Sequence, residues 1–311
     1  MCLESLNFLA SDKLYAGILH FLTCIEVPLH AFGAYLIVVK TPNKMKMVKA
    51  SMLLLQLVGA SVDIFMSFLT TPVLNLPACS GYPLGFSLLL GIPTSVLVYM
   101  GISFVGVIGV TVLLFFENRY HQLINRSSGG RSWKRILYVL FHYALSATFI
   151  APSFLNIPSV DQGKVHTFEK IPCIPRDIPS RPGYFVLATD NLLVCLCISI
   201  MLLFVGVQWA FFVASIFRYL SNTVSHSQTT TRLQRQFFIA MCIQLLIPLA
   251  VIVFPAAFVV FAIRYDYYNQ AANNIAMAAI ATHGVFTTLT MIIVHKPYRQ
   301  ATLSVLRGKS E

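Results

Sequence analysis

The sequence predicts an all-α membrane protein: a bundle of seven transmembrane helices with its N-terminus outside and its C-terminus in the cytosol. Three observations carry that reading. The first is composition: of 311 residues, 57% are hydrophobic and 11% charged, with a mean hydropathy of +0.75. Soluble domains run near about 45–50% apolar and about 25% charged, and a surface facing water needs roughly a quarter to a third of its positions charged. A soluble enzyme, a disordered regulator and a secreted disulfide scaffold are therefore excluded. The second is length, since seven crossings at ~20 residues each leave enough chain for connecting loops. The third is the placement of the net charge of +11, which falls largely between the apolar stretches.

Apolar stretches and short polar segments alternate, and they predict helices at about 15–39, 50–72, 84–116, 136–157, 184–217, 237–263 and 275–294. The third and fifth exceed the ~20 residues of a crossing, so they tilt or project beyond the hydrocarbon. No Ala-x-Ala-like cleavage site follows the first stretch, which reads as a retained helix and not a signal peptide. With no internal repeat or low-complexity tract, a single membrane domain, 1–311, accounts for the chain. The sixth helix holds Pro248 and Pro255, seven apart and so on one face. Each removes a backbone donor and clashes with the preceding turn, which predicts kinks acting as a hinge or as a static bend. Residues 158–183 contain Pro158, Pro172, Pro175, Pro179 and Pro182. They are too polar and broken for a further span, and form a plain outer loop or a lid above the bundle.

Orientation follows from Lys and Arg, which concentrate in cytoplasmic loops. Sixteen of the 22 basic residues, among them Lys40, Lys44, Arg119, Arg135, Arg218 and Lys296, follow the first, third, fifth and seventh helices. Six lie on the other side: Lys13, Lys164, Lys170, Arg176, Arg181 and Arg264. The positive charge is thus one face, suited to acidic protein surfaces and anionic lipid. Nucleic acid is not an expected partner, because that needs a clustered basic face on a soluble fold. The sequon Asn125-Arg126-Ser127 falls on the cytosolic side, where glycosylation does not occur. Cys79 and Cys173 fall in the first and second outer loops, on the oxidising side, and are expected to pair. The alternatives are two free thiols or a bridge to Cys2. Cys24, Cys195, Cys197 and Cys242 lie within helices as small packed hydrophobes. No zinc-like spacing exists, and no metal or cofactor is expected.

Ionisable side chains within a span are expensive and face the bundle interior. Glu26 and His30 stand four apart on one face of the first helix. Asp63 lies about 13 residues, or ~20 Å, above the cytosolic end of the second helix, at a depth similar to Glu26. These three form either interhelical polar glue or an ion- or proton-sensitive site that differs between conformational states. His283 in the seventh helix is an interior polar residue or a ligand contact. Tyr99, Tyr265, Tyr267 and Tyr268 are candidate pocket residues by depth alone.

The third helix ends in Phe115-Phe116-Glu117-Asn118-Arg119-Tyr120-His121 and the seventh in His295-Lys296-Pro297-Tyr298-Arg299. An arginine at a helix C-terminus suits the dipole, proline stops the last helix, and Tyr298 is placed to anchor it at the interface. The first string resembles the acid-Arg-Tyr end of the third helix in G-protein-coupled receptors. Here Asn118 stands in the place of the acid, with Glu117 one position earlier. Further strings occur in order along the chain: Lys40-Thr41-Pro42-Asn43-Lys44-Met45, Asp63, Ser80-Gly81-Tyr82-Pro83-Leu84-Gly85 and Gly91-Ile92-Pro93-Thr94. Together they resemble the nematode serpentine receptors of class H, a group of seven-helix chemoreceptors, from about residue 15 to 300.

That resemblance implies a multi-pass receptor of the plasma membrane, in sensory-neuron cilia, that detects a small extracellular ligand such as an odorant. It implies activation of a heterotrimeric G protein through the cytosolic ends of the third and sixth helices. Glu117, Asn118, Arg119, Tyr120, Pro297, Tyr298 and Arg299 are the expected coupling residues. The rival readings are a seven-helix ligand-gated channel and a secondary transporter. A transporter would show internal repeats and interrupted helices, and neither is visible in the sequence. Intramembrane proteolysis would need Gly-x-Ser-x-Gly or Gly-x-Gly-Asp, and neither occurs, so no enzymatic activity is expected.

Overall fold

The computed structural model describes residues 8–124, 133–222 and 228–307; the side chains of 44, 228–234, 236–237, 244–245 and 247–248 are also not described. Cys2 and the sequon Asn125-Arg126-Ser127 lie outside the described residues. Helix α1 (Asp12–Lys40) ends where Pro42 forbids continuation. Helix α2 (Lys46–Ile64) passes into a π-helical turn at Phe65–Thr70 and stops at Thr71, which is left-handed (φ 41). The chain then forms two short antiparallel strands, β1 (Pro72–Asn75) and β2 (Ser80–Pro83).

Helix α3 (Thr94–Leu123) starts about ten residues later than the apolar run predicts. Gly91 has φ +63, a conformation open to glycine, and Pro93 takes the N-cap position, so the apolar segment before it folds back as a loop. Helix α4 (Trp133–Thr148) is followed by a 3-10 turn at Ala151–Phe154. The proline-rich outer segment contains a short helix, α5 (Val160–Lys170), started by a reciprocal Ser159–Gln162 capping box. The chain just beyond it forms β3 (Phe185–Val186), which pairs with β2 through Ser80↔Val186 and Gly81↔Phe185.

Helix α6 (Leu192–Asn222) precedes α7 (Gln228–Arg264), which is one uninterrupted helix through both Pro248 and Pro255. The seventh predicted helix is two: α8 (Gln270–Ala281) and α9 (His283–Val294), meeting at 46°. A last amphipathic helix, α10 (Lys296–Leu306), begins at Pro297 in its first turn. Among the described residues, five helices are long and apolar enough to cross a membrane, and six if α8 and α9 are one span; the Leu249–Arg264 part of α7 is shorter and also apolar. The fold is thus a helical membrane bundle with a small three-stranded sheet at one end and the basic helix ends at the other.

Candidate functional site

Three polar or hollow features run down the bundle. At the strand end, β1, β2 and β3 roof a cavity of about 270 Å³. Its walls come from α3, α6, α7 and α8, with Phe185 and Leu187 from the segment after α5. The roof is fastened by polar contacts: Arg181 pairs with Asp12 and donates to the Tyr82 hydroxyl (2.7 Å), and Tyr82 donates to Asp12 (2.9 Å). Tyr15 donates to the Pro72 carbonyl (3.0 Å). The chain that follows the proline-rich segment, residues 185–187, therefore closes the roof over the cavity as its lid.

That lid is held to the first loop by backbone pairing and not by the expected disulfide. Cys79 is a free thiol, as are Cys24, Cys195, Cys197 and Cys242, while Cys173 is disulfide-bonded. Cys79 sits at φ 47, its carbonyl accepts from the Leu187 amide (3.0 Å), and its side chain packs with the Leu76–Leu187–Cys195 cluster. Burial, and secondarily Cys195 nearby, pushes its thiol up to about 12. A thiol in that setting stays protonated and unreactive. The predicted Cys79–Cys173 bridge is thus corrected.

The second feature is a buried polar network centred on Asp63, which is fully buried. His283 Nδ1 lies 2.7 Å from Oδ1 and His30 Nε2 lies 3.2 Å from Oδ2. The amides of Gly284 and Val285 donate to the same carboxylate at 3.2 and 3.1 Å. Those two N–H groups belong to the first turn of α9, where a helix leaves its amides without internal partners and attracts an anion. The break after Thr282 creates that turn in mid-bundle, so Asp63 of α2 caps α9. Gln56 Nε2 meets His30 Nδ1 (3.2 Å) and Thr288 Oγ1 (2.9 Å). Glu26 is joined through Ser67, whose hydroxyl donates to it at 2.7 Å and accepts from Thr23 at 2.9 Å. Among the described residues no group of three or more His, Cys, Asp or Glu is placed to hold a metal ion.

At the basic end, Glu117 forms a two-pronged pair with Arg135 of α4, Nε to Oε1 at 2.8 Å and Nη2 to Oε2 at 2.9 Å. Arg135 also donates to Asn118 (2.7 Å), and His121 lies 3.2 Å from Glu117. Arg119 instead reaches Gln122 (3.5 Å) along its own helix. Tyr120 packs against Phe211 and Phe212 of α6. Tyr298, expected at the membrane interface, is fully buried, sharing a hydrogen bond with Thr41 (2.8 Å) and packing under His295. Burial pushes the His295 imidazole down to about 4 and raises the Tyr298 phenol, whose bond to Thr41 opposes that rise. Arg299 donates to the Ile293 carbonyl (2.9 Å).

The candidate pocket residues do not line the cavity. Tyr99 donates to the Ala147 carbonyl (2.6 Å) between α3 and α4, and Tyr265 is 71% exposed. Tyr267 packs against Phe258 and Phe261, and Tyr268 lies against the main core. His283 belongs to the Asp63 network. Sequence reasoning missed Gln56, Thr288, Arg135 and Trp209. The spacing of Gln56 seven before Asp63, one helical face, is the signal that finds the first.

A family model described as "Serpentine type 7TM GPCR chemoreceptor Srh" matches residues 10–308. The chain is also 27% identical over 316 residues to "Serpentine receptor class H-72" of Caenorhabditis elegans, covering 100% of this chain and 90% of that protein.

Proposed function

The chain belongs to the Srh family of serpentine seven-transmembrane chemoreceptors, and from that premise we propose that it detects a small ligand at its strand-capped end and activates a heterotrimeric G protein at its basic end. The observation that carries this reading is the strand-roofed cavity, whose walls include α3, α6 and α7, helices that also reach the basic end. The strand-capped end faces outside and the basic end faces the cytosol, in line with the 16-to-6 division of Lys and Arg. The receptor resides in the plasma membrane, and by family in sensory cilia.

The mechanism is a shift of population between bundle arrangements. Ligand under the lid favours an arrangement in which the cytosolic end of α7 moves away and opens a pocket beside Arg119. Glu117 and Asn118 hold α4 against α3 through Arg135 until then. Tyr120 meets α6, Pro297 and Arg299 start α10, and Tyr298 holds α10 against α1. Arg119→Ala should abolish ligand-dependent nucleotide exchange on the G protein while surface expression persists. Full exchange by that variant overturns the coupling role.

A further inference from the structure

The cavity under the lid carries enough chemistry to name a class of ligand, an inference that rests on reading it as the receptor's ligand site. Among the described residues, its lining includes no Asp, Glu, Lys, Arg or His. An ion entering it would lose its hydration without gaining a counter-charge, which is strongly unfavourable. Among the described residues, three buried polar atoms on its wall nevertheless lack hydrogen-bond partners: Trp209 Nε1, Thr70 Oγ1 and Ser80 Oγ, the last of which lies beside Tyr184 in the strand cap.

Local structure leaves Thr70 and Trp209 unpaired. In an α-helix a threonine hydroxyl bonds the carbonyl four residues back, here that of Met66. The π-turn gives the Met66 carbonyl to the Thr71 amide instead (3.0 Å), and Thr70 is left with its hydroxyl in the cavity wall. Trp209 is held edge-on to Phe116 with ring centres 6.0 Å apart, and an indole N–H can only donate. An unmade hydrogen bond to a buried group costs about 1–3 kcal/mol, which a ligand acceptor would restore.

The cavity is also long. Its lining runs from Thr94 to Val112 on α3 and from Val194 to Trp209 on α6, spans of ~22–27 Å at the helical rise. Thr70 stands beside the strand cap and Trp209 toward the other end. We propose that the cavity binds an uncharged, elongated, mostly hydrocarbon molecule whose hydrogen-bond acceptor, such as a carbonyl oxygen, takes the Trp209 N–H. The Thr70 hydroxyl serves a second polar group near the lid.

The test uses the full chain in lipid nanodiscs with Trp133→Phe, an exposed position, so that Trp209 is the only tryptophan. Its emission is titrated with methyl octyl ketone, decane, decanoate and decylammonium. The ketone should bind about tenfold tighter than decane, the worth of one hydrogen bond, and the two ions should leave the emission unchanged. Trp209→Phe, followed by thermal shift, should bring ketone and decane to equal binding. Ions that bind as tightly as the ketone, a ketone no better than decane, or four silent probes overturn the proposal. The ranking is read with Trp209 intact, so a misfolded Trp209→Phe does not remove the test. Ketone binding without nucleotide exchange leaves this inference standing and overturns the receptor reading.

Discussion

Gly284 has no side chain, and Asp63 occupies the space that one would take. A Cβ added there would stand 2.6 Å from Asp63 Oδ2 and 3.0 Å from His30 Cε1. Neither neighbour can retreat freely, because each is held by further hydrogen bonds in a fully packed centre. Gly284→Ala should therefore lower the thermal stability of the purified protein, by roughly 1–3 kcal/mol as for other overpacked cores. Gly59→Ala is the matched control: its Cβ meets nothing nearer than 3.7 Å, so its melting temperature should stay close to that of the parent chain. Equal losses from both would mean that the Asp63 contact is not what constrains Gly284.

At the scale of elements, two departures from regular helix and one ion pair shape this molecule. The π-turn ends α2 at Thr71 and aims the chain into the strands. The break after Thr282 presents the start of α9 to Asp63. The pair between Glu117 and Arg135 fixes α4 on α3, and because it is two-pronged it holds an orientation as well as a distance. Glu117→Gln and Arg135→Ala should raise ligand-independent nucleotide exchange to a similar degree, and the double variant should add little to either. Fully additive effects would show that the two residues act separately.

At the scale of the whole molecule, the strand-capped end and the basic end differ in character, and the proposed direction of signalling rests on which of them faces outside. Val165 lies on α5, 58% exposed, with His166 and Thr167 following. Val165→Asn completes a glycosylation sequon there, and translation with microsomes should add a glycan to it while the native Asn125 sequon stays bare. A glycan at Asn125 and none at position 165 would reverse the orientation.

The seven apolar stretches were legible because a bilayer demands long runs of hydrophobic residues, and that demand is written in composition. The charge asymmetry and the family strings were legible for the same reason: they are local in the chain. Glu26, His30 and Asp63 were found by helical spacing, and all three are buried in the bundle. Their joining through Ser67, His283 and the α9 amides was not legible, since it depends on where α9 restarts. The late start of α3 was hidden by an apolar run that hydropathy alone cannot divide. The rejection of Cys79 as a disulfide partner depended on β3 reaching β2, a pairing of residues more than a hundred positions apart.

The sequence by itself determined that this chain lives in a bilayer, where its apolar stretches fall and between which of them the positive charge gathers, because hydration energy acts residue by residue. Only the tertiary structure decided what those helices enclose. The cavity, the Trp209 donor and the cap that Asp63 places on α9 arise where separate helices meet, and each owes its free energy to neighbours that are distant in the chain.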